Sequence, residues 1–133
     1  MHCNEQALST VAKPARYTGG EWNMTIKDPG GVSVRFALAL PDVYEVGMSN
    51  LGLKILYGIL NERTDTYAER AYCPWPDMEA VMRGGNDVLR SLETGTPLKE
   101  FDAVGFSLQY EMTYSNILTM LDLGGIPLAS ADR

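Results

Sequence analysis

The sequence predicts an α/β protein built on a mostly parallel sheet with helices on both faces. Three observations carry this. Apolar runs at 32–40 and 103–109 read as strands buried on both faces, as parallel sheets require. Segments with helical spacing separate the strands, so the chain alternates between the two periods. The resulting order is strand-helix-strand-helix-strand-strand-helix, whose crossovers favour parallel neighbours.

The elements follow in chain order. Residues 1–30 read as an irregular N-terminal arm, and 31–133 as one α/β domain, which suits a chain of 133 residues. Residues 1–12 are expected to be disordered. Asp28-Pro29-Gly30-Gly31 is a turn. Tyr17 and Trp22 mark an arm that docks rather than a free tail. Val32 to Leu40 is the first strand. Ser49 or Asn50 serves as N-cap, and Leu51, Ile55, Leu56, Ile59 and Leu60 follow at helical spacing as far as Glu62. Thr66 to Cys73 is the second strand. Pro74-Trp75-Pro76-Asp77 turns the chain, and Met78 to Arg83 makes a short helix stopped by Gly84-Gly85. Val88 to Leu92 is a third strand and Ala103 to Gln109 a fourth. A helix begins at Thr113, with Tyr114, Ile117, Leu118 and Leu121 on one face and Gly124-Gly125 as C-cap. Ile126-Pro127-Leu128-Ala129-Ser130 then heads away as though toward another strand. Doubly wound sheets usually have more strands than this. A flavodoxin-like sheet lacking its last strand is therefore expected, with an open edge that predicts self-association.

Composition narrows the function. The chain is 45% hydrophobic and carries a net charge of −6 with no basic cluster, which excludes a phosphate-neutralising nucleic-acid surface. No run of roughly 18 apolar residues exists to span a membrane. The N-terminus lacks the basic and apolar regions of a secretory signal, so a cytoplasmic location is expected. Cys3 and Cys73 suit neither a metal site nor a disulfide framework, and Cys73 reads as a buried small hydrophobe. His2 reads as a terminal residue rather than a ligand.

In an open parallel sheet the ligand crevice lies at the carboxyl ends of the strands. Three segments reach that edge: Pro41–Asn50, Cys73-Pro74-Trp75 and Gln109-Tyr110-Glu111-Met112. They offer Asp42, Tyr44, Glu45, Asn50, Trp75, Gln109, Tyr110 and Glu111, a polar and aromatic rim over an apolar sheet. Each has a plainer reading. Asp42 is either ligand-facing or a turn acid. Tyr44 either packs over the sheet edge or touches a cofactor. Glu45 and Glu111 are either a general acid–base pair or carboxylates placed for the helix dipole. Trp75 either staples its turn or offers a stacking surface.

Asp42-Val43-Tyr44-Glu45-Val46-Gly47 resembles the Asp-x-His-x-x-Gly motif of cobalamin-binding domains, with Tyr44 where that family has His. In that family the His ligates cobalt and the Asp orients it. A neutral phenol is a poor substitute. The resemblance thus leaves two alternatives: no cobalamin, or cobalamin with no protein ligand from this loop. Ser107-Leu108-Gln109 keeps the Ser of a second motif, Ser-x-Leu, without its Leu.

Residues from about Lys13 onward resemble a more specific family. It comprises uncharacterised radical-SAM proteins that begin with a cobalamin-binding-like domain. The matching stretches include Lys13-Pro14-Ala15-Arg16-Tyr17, Glu21-Trp22-Asn23, Pro41 to Ser49, Leu51 to Tyr57, Leu60 to Arg63, Ser91 to Thr94, Pro97 to Asp102 and Phe106 to Met112. The resemblance implies a cofactor-binding or substrate-positioning accessory domain. It places Asp42, Tyr44, Glu45, Gly47, Ser107, Gln109, Tyr110 and Glu111 at the site, with a radical-SAM barrel in cis as partner. S-adenosylmethionine and an iron–sulfur cluster would belong to the full-length protein only, since Cys3 and Cys73 cannot supply Cys-x-x-x-Cys-x-x-Cys. No catalysis is expected from this chain by itself. The alternative function is a ligand-free interaction module that keeps only the fold. Tyr17 and Trp22 would cover either this domain's own sheet or the barrel. A phosphoacceptor receiver fits poorly, because Leu92-Glu93-Thr94 lacks the required Asp.

Overall fold

The computed structural model describes residues 5–133, so His2 and Cys3 lie outside the described residues. Its sheet has three strands, all parallel, in the order β2-β1-β3. These are β1 (Val34–Leu40), β2 (Thr66–Tyr72) and β3 (Ala103–Phe106). Leu38 of the central strand lies opposite Arg70 on one side and Gly105 on the other. This order and direction form a flavodoxin-like arrangement, as the sequence predicts.

Helices cover both faces. On one face α3 (Leu51–Glu62) packs over Leu38, Leu40 and Ala68. On the other, α4 (Pro76–Gly85) and α5 (Tyr114–Leu123) bring Met78, Met82, Met120 and Leu123 onto Ala37, Ala39 and Ala71. Small residues alternate on that face of β1 and β2, which lets the methionines sit close to the backbone. Asn50 is the N-cap of α3: its Oδ1 accepts from the Leu53 N–H at 2.9 Å, an interaction worth about 1 kcal/mol. At the far end of α5, Gly125 takes φ +70°, and the Ile126 N–H returns to the Leu121 carbonyl.

Several elements depart from expectation. Residues 5–12 are ordered: Glu5–Thr10 form α1, which buries Ala7 and Leu8 and contacts α4, and Val11 after it joins the core cluster of Met78 and Met82. The Ala12 N–H donates to Asp77 there at 2.9 Å. The Pro41–Asn50 junction contains a helical turn of its own, α2 (Tyr44–Ser49). Helix α4 starts earlier, with Pro76 in its first turn, and runs through the two glycines to Asn86, whose left-handed conformation caps it. In α3 the buried stripe is Leu53 with Tyr57 and Leu60, while Leu51, Ile55, Leu56 and Ile59 face outward. Both stripes have helical spacing, and the capping turn at Asn50 presents the Leu53 one to the sheet. In α5, Leu121 is buried as expected but Tyr114 and Leu118 are exposed.

The largest correction is Val88–Leu92, which forms no strand; Arg90 and Pro97 make one isolated antiparallel bridge instead. Residues 91–96 form a polar clamp on the outer edge of β2. Glu69, fully buried, receives the Ser91 hydroxyl at 2.6 Å and the Thr94 hydroxyl at 2.6 Å, together with the Arg35 guanidinium. Next along the strand, the Arg70 N–H and Nε both donate to the Glu93 carboxylate at 2.7 Å, and the Arg70 carbonyl accepts from the Leu92 N–H at 2.8 Å. Asn61 does the same for Ala68, pairing with both its N–H and its carbonyl at 3.0 Å. Lys27 donates to the Thr66 carbonyl at 2.7 Å. The edge of β2 is thereby satisfied without a neighbouring strand. The outer edge of β3 has no partner strand among the described residues. β3 is also shorter than predicted, ending at Phe106.

Removing one side of a buried charge pair strands the other. Glu69→Ala is expected to cost about 3 kcal/mol, read as a Tm lowered by about 10 °C in thermal unfolding. Glu93→Gln should cost less, because Arg70 keeps Glu21 at 2.7 Å. Equal stability of Glu69→Ala and the parent would refute the clamp.

Candidate functional site

The chain leaves β1 to one side to form β2, and β3 then lies on the other side. In open parallel sheets such a reversal is where ligand crevices form, which here means the carboxyl ends of β1 and β3. The loops from both strands emerge together there. The Asn50 carboxamide donates to Gln109 Oε1 at 2.8 Å, and Asn116 of α5 donates to the Pro41 carbonyl at 2.9 Å. The Ser107 N–H donates to the Ala39 carbonyl at 2.9 Å, continuing the β3 contact one step past the strand. From the other flank, the Cys73 N–H donates to the Asp42 carbonyl at 2.9 Å.

The predicted site residues divide into two groups. Ser107, Gln109, Tyr110 and Glu111 stand on the β3 side, with Ser107 half-buried and the other three exposed. Leu108, Met112 and Tyr114 are exposed beside them, giving the rim an apolar and aromatic border. Asp42 turns the chain: its Oδ1 accepts from the Val43 N–H at 2.7 Å.

Tyr44, Glu45 and Gly47 turn instead toward β2 and the arm. The Tyr44 hydroxyl donates to Glu21, and its ring meets that of Tyr72 edge-on at 5.6 Å. Burial and the Glu21 carboxylate push the Tyr44 phenol up to about 12, so it stays protonated. Glu45 pairs with Arg16 at 2.8 Å and Lys13 at 3.3 Å. These contacts, Arg16 first, draw its carboxyl down to about 2. A group held that low carries no proton to donate near neutral pH, so it does not suit the acid half of a Glu45–Glu111 pair. Gly47 is a matter of space: a Cβ there would lie 2.1 Å from Tyr72 Cε1.

The arm supplies residues that sequence reasoning missed. Glu21 links Tyr44 to Arg70, and Arg70 lies over the Tyr57 ring at 4.7 Å. Tyr17 docks on this domain, its hydroxyl accepting from the Trp75 N–H at 3.1 Å. Arg16 sits over the Trp75 ring at 5.0 Å, so Trp75 serves its turn and the arm. The available signal was Glu69-Arg70, adjacent charges inside an otherwise apolar strand. A cavity of about 70 Å³ lies nearby, lined by Tyr17, Tyr72, Cys73, Met78 and Leu89 among others. The Cys73 thiol in its wall is pushed up to about 12 by burial and is inert.

No group of three His, Cys, Asp or Glu among the described residues is placed to hold a metal ion. An iron–sulfur cluster therefore finds no ligand set there. No helix among them is long and apolar enough to cross a membrane.

The family model for radical-SAM proteins, N-terminal, matches residues 52–133. The chain belongs to that family. No curated protein and no solved structure matches it. As a radical-SAM N-terminal domain it is an accessory part of a radical-SAM protein. Such a protein carries its radical-SAM domain in cis and uses S-adenosylmethionine and an iron–sulfur cluster. The match takes in the β3 side of the rim and leaves out Asp42 to Gly47.

The Glu45 pairing gives this domain an acid-sensitive joint. Its contribution is complete above the ordinary carboxylate range and is lost as the pH falls toward about 2, because the unfolded chain takes up the proton first. Arg16→Ala should raise the Glu45 midpoint toward the ordinary range, with Lys13 still holding it somewhat below, followed by the side-chain carboxyl shift in an NMR titration. An unchanged midpoint would show that Arg16 is not the cause.

Proposed function

We propose that this domain positions a substrate or cofactor for the radical-SAM domain at the β1/β3 rim, and that the loop after β1 lends no ligand to cobalt. The Asn50–Gln109 hydrogen bond carries the reading. It ties the two strand-end loops into one mouth and leaves Tyr110 and Glu111 exposed at its border. Such a border, polar groups over an apolar sheet end, is how small-molecule sites are built. The Tyr44 hydroxyl is already donated to Glu21, which supports a loop free of any axial role. A corrin over the strand ends would then keep whatever axial groups it brought. Asp42, Ser107, Gln109, Tyr110 and Glu111 are the residues assigned to the rim; Tyr44 and Gly47 brace the loop behind it.

The test has two arms. Tyr44→Phe should leave the visible spectrum of hydroxocobalamin mixed with the domain unchanged, and a spectral change that depends on this hydroxyl would overturn the absence of ligation. In the full radical-SAM protein, Tyr110→Ala combined with Glu111→Gln should lower turnover about tenfold with Tm unchanged, as expected for lost positioning. Full activity in that variant would favour the interaction module instead. That second reading has its own support in Leu51, Ile55 and Ile59, an apolar stripe of α3 turned away from the sheet.

A further inference from the structure

A second cavity, of about 400 Å³, is lined by the arm, α2, α3 and the end of β2, and by none of the rim residues on the β3 side. Its floor is Arg70 and Tyr72, its wall Tyr57, and its mouth Trp22, Asn23 and Lys54. Tyr72 is 8% exposed, and its hydroxyl is buried without a hydrogen-bond partner. An orphaned buried hydroxyl in a cavity wall is costly unless something completes it. Trp22 is fully exposed at the mouth, although its neighbour Glu21 is firmly bound to Arg70 and Tyr44. Among the described residues Lys54 has no ion-pair partner, and the Asn23 carboxamide and Trp22 indole N–H donate to none.

We propose that this cavity is a binding site for a small aromatic carboxylate. The chemistry of the unspent groups selects it. The Tyr72 hydroxyl, the Lys54 ammonium and the Trp22 indole N–H are all donors, so the ligand brings acceptors. Lys54 and Arg70 are the cations of its lining. Arg70 is already held by Glu93 and Glu21, leaving Lys54 as the one uncommitted cation; that suits a carboxylate better than a phosphate dianion. Trp22, fully exposed at the mouth, offers a ring face for a planar body. Burial pushes the Tyr72 phenol up to about 12, so it remains a donor across the physiological range. The site does not depend on the rim.

Isothermal titration calorimetry on the chain tests this, with 2-naphthoate as probe and 2-naphthamide as its uncharged counterpart. Naphthoate should bind with a Kd below about 1 mM, and the amide about tenfold more weakly. Tyr72→Phe should weaken naphthoate about tenfold, as loss of a hydrogen bond to a charged group does. It should leave the ligand-free Tm equal or higher, because the hydroxyl has no partner to lose. Lys54→Gln, at an exposed position, should erase the preference for acid over amide and decides the matter even if Tyr72→Phe folds poorly. The proposal is overturned by no heat from naphthoate, by equal affinity for acid and amide, or by affinities that neither variant alters.

Discussion

Glu69 and Arg70 are neighbours on a strand buried along its whole length, so each must find its counter-charge on its own face of the sheet. An uncompensated charge there would cost several kcal/mol. The segment after α4 resolves both needs at once. Its hydroxyls and Arg35 serve Glu69 on one face, while Glu93 serves Arg70 on the other. The remaining orientation of Arg70 then dictates much else. It faces Glu21, which seats the arm, and Glu21 takes the Tyr44 hydroxyl, which fixes the start of α2. The loop behind the rim is thus held through a chain of contacts that begins with two charges on β2.

That chain explains what could be read from the residues and what could not. β1 was legible because a run such as Phe36-Ala37-Leu38-Ala39-Leu40 has no other stable home than a sheet centre. The meeting of the Pro41 and Gln109 loops followed from parallel topology alone. Val88–Leu92 misled because a short segment with Val88, Leu89 and Leu92 between turn residues is equally suited to cover a core, and Leu89 does so. Nothing local announces that Ser91, Thr94 and Glu93 bond across the β2 edge, since their partners lie more than 20 residues away in sequence. The faces of α3 were inverted for a related reason. Two apolar stripes compete on that helix, and only the position of Asn50 decides which one meets Leu38.

Tyr44 shows how a motif can survive while its chemistry is reassigned. Aspartate, a ring and a glycine keep their spacing, but Asp42 holds its own turn, the ring bonds to the arm, and Gly47 makes room for Tyr72. Belonging to the radical-SAM N-terminal family rests on the stretch from Gly52 onward, outside that motif. The family assignment and the cobalamin likeness are therefore independent, and the first does not carry the second.

The two borders of the sheet are chemically unlike. One is sealed by Lys27, Asn61 and the 91–96 segment; the other, along Ala103–Phe106, has no neighbouring strand among the described residues. Growth of this sheet is consequently one-directional. Whatever strand extends it must slot in alongside the very residues that lead into Gln109 and Tyr110, so enlarging the architecture and reshaping the entrance to the crevice become the same event.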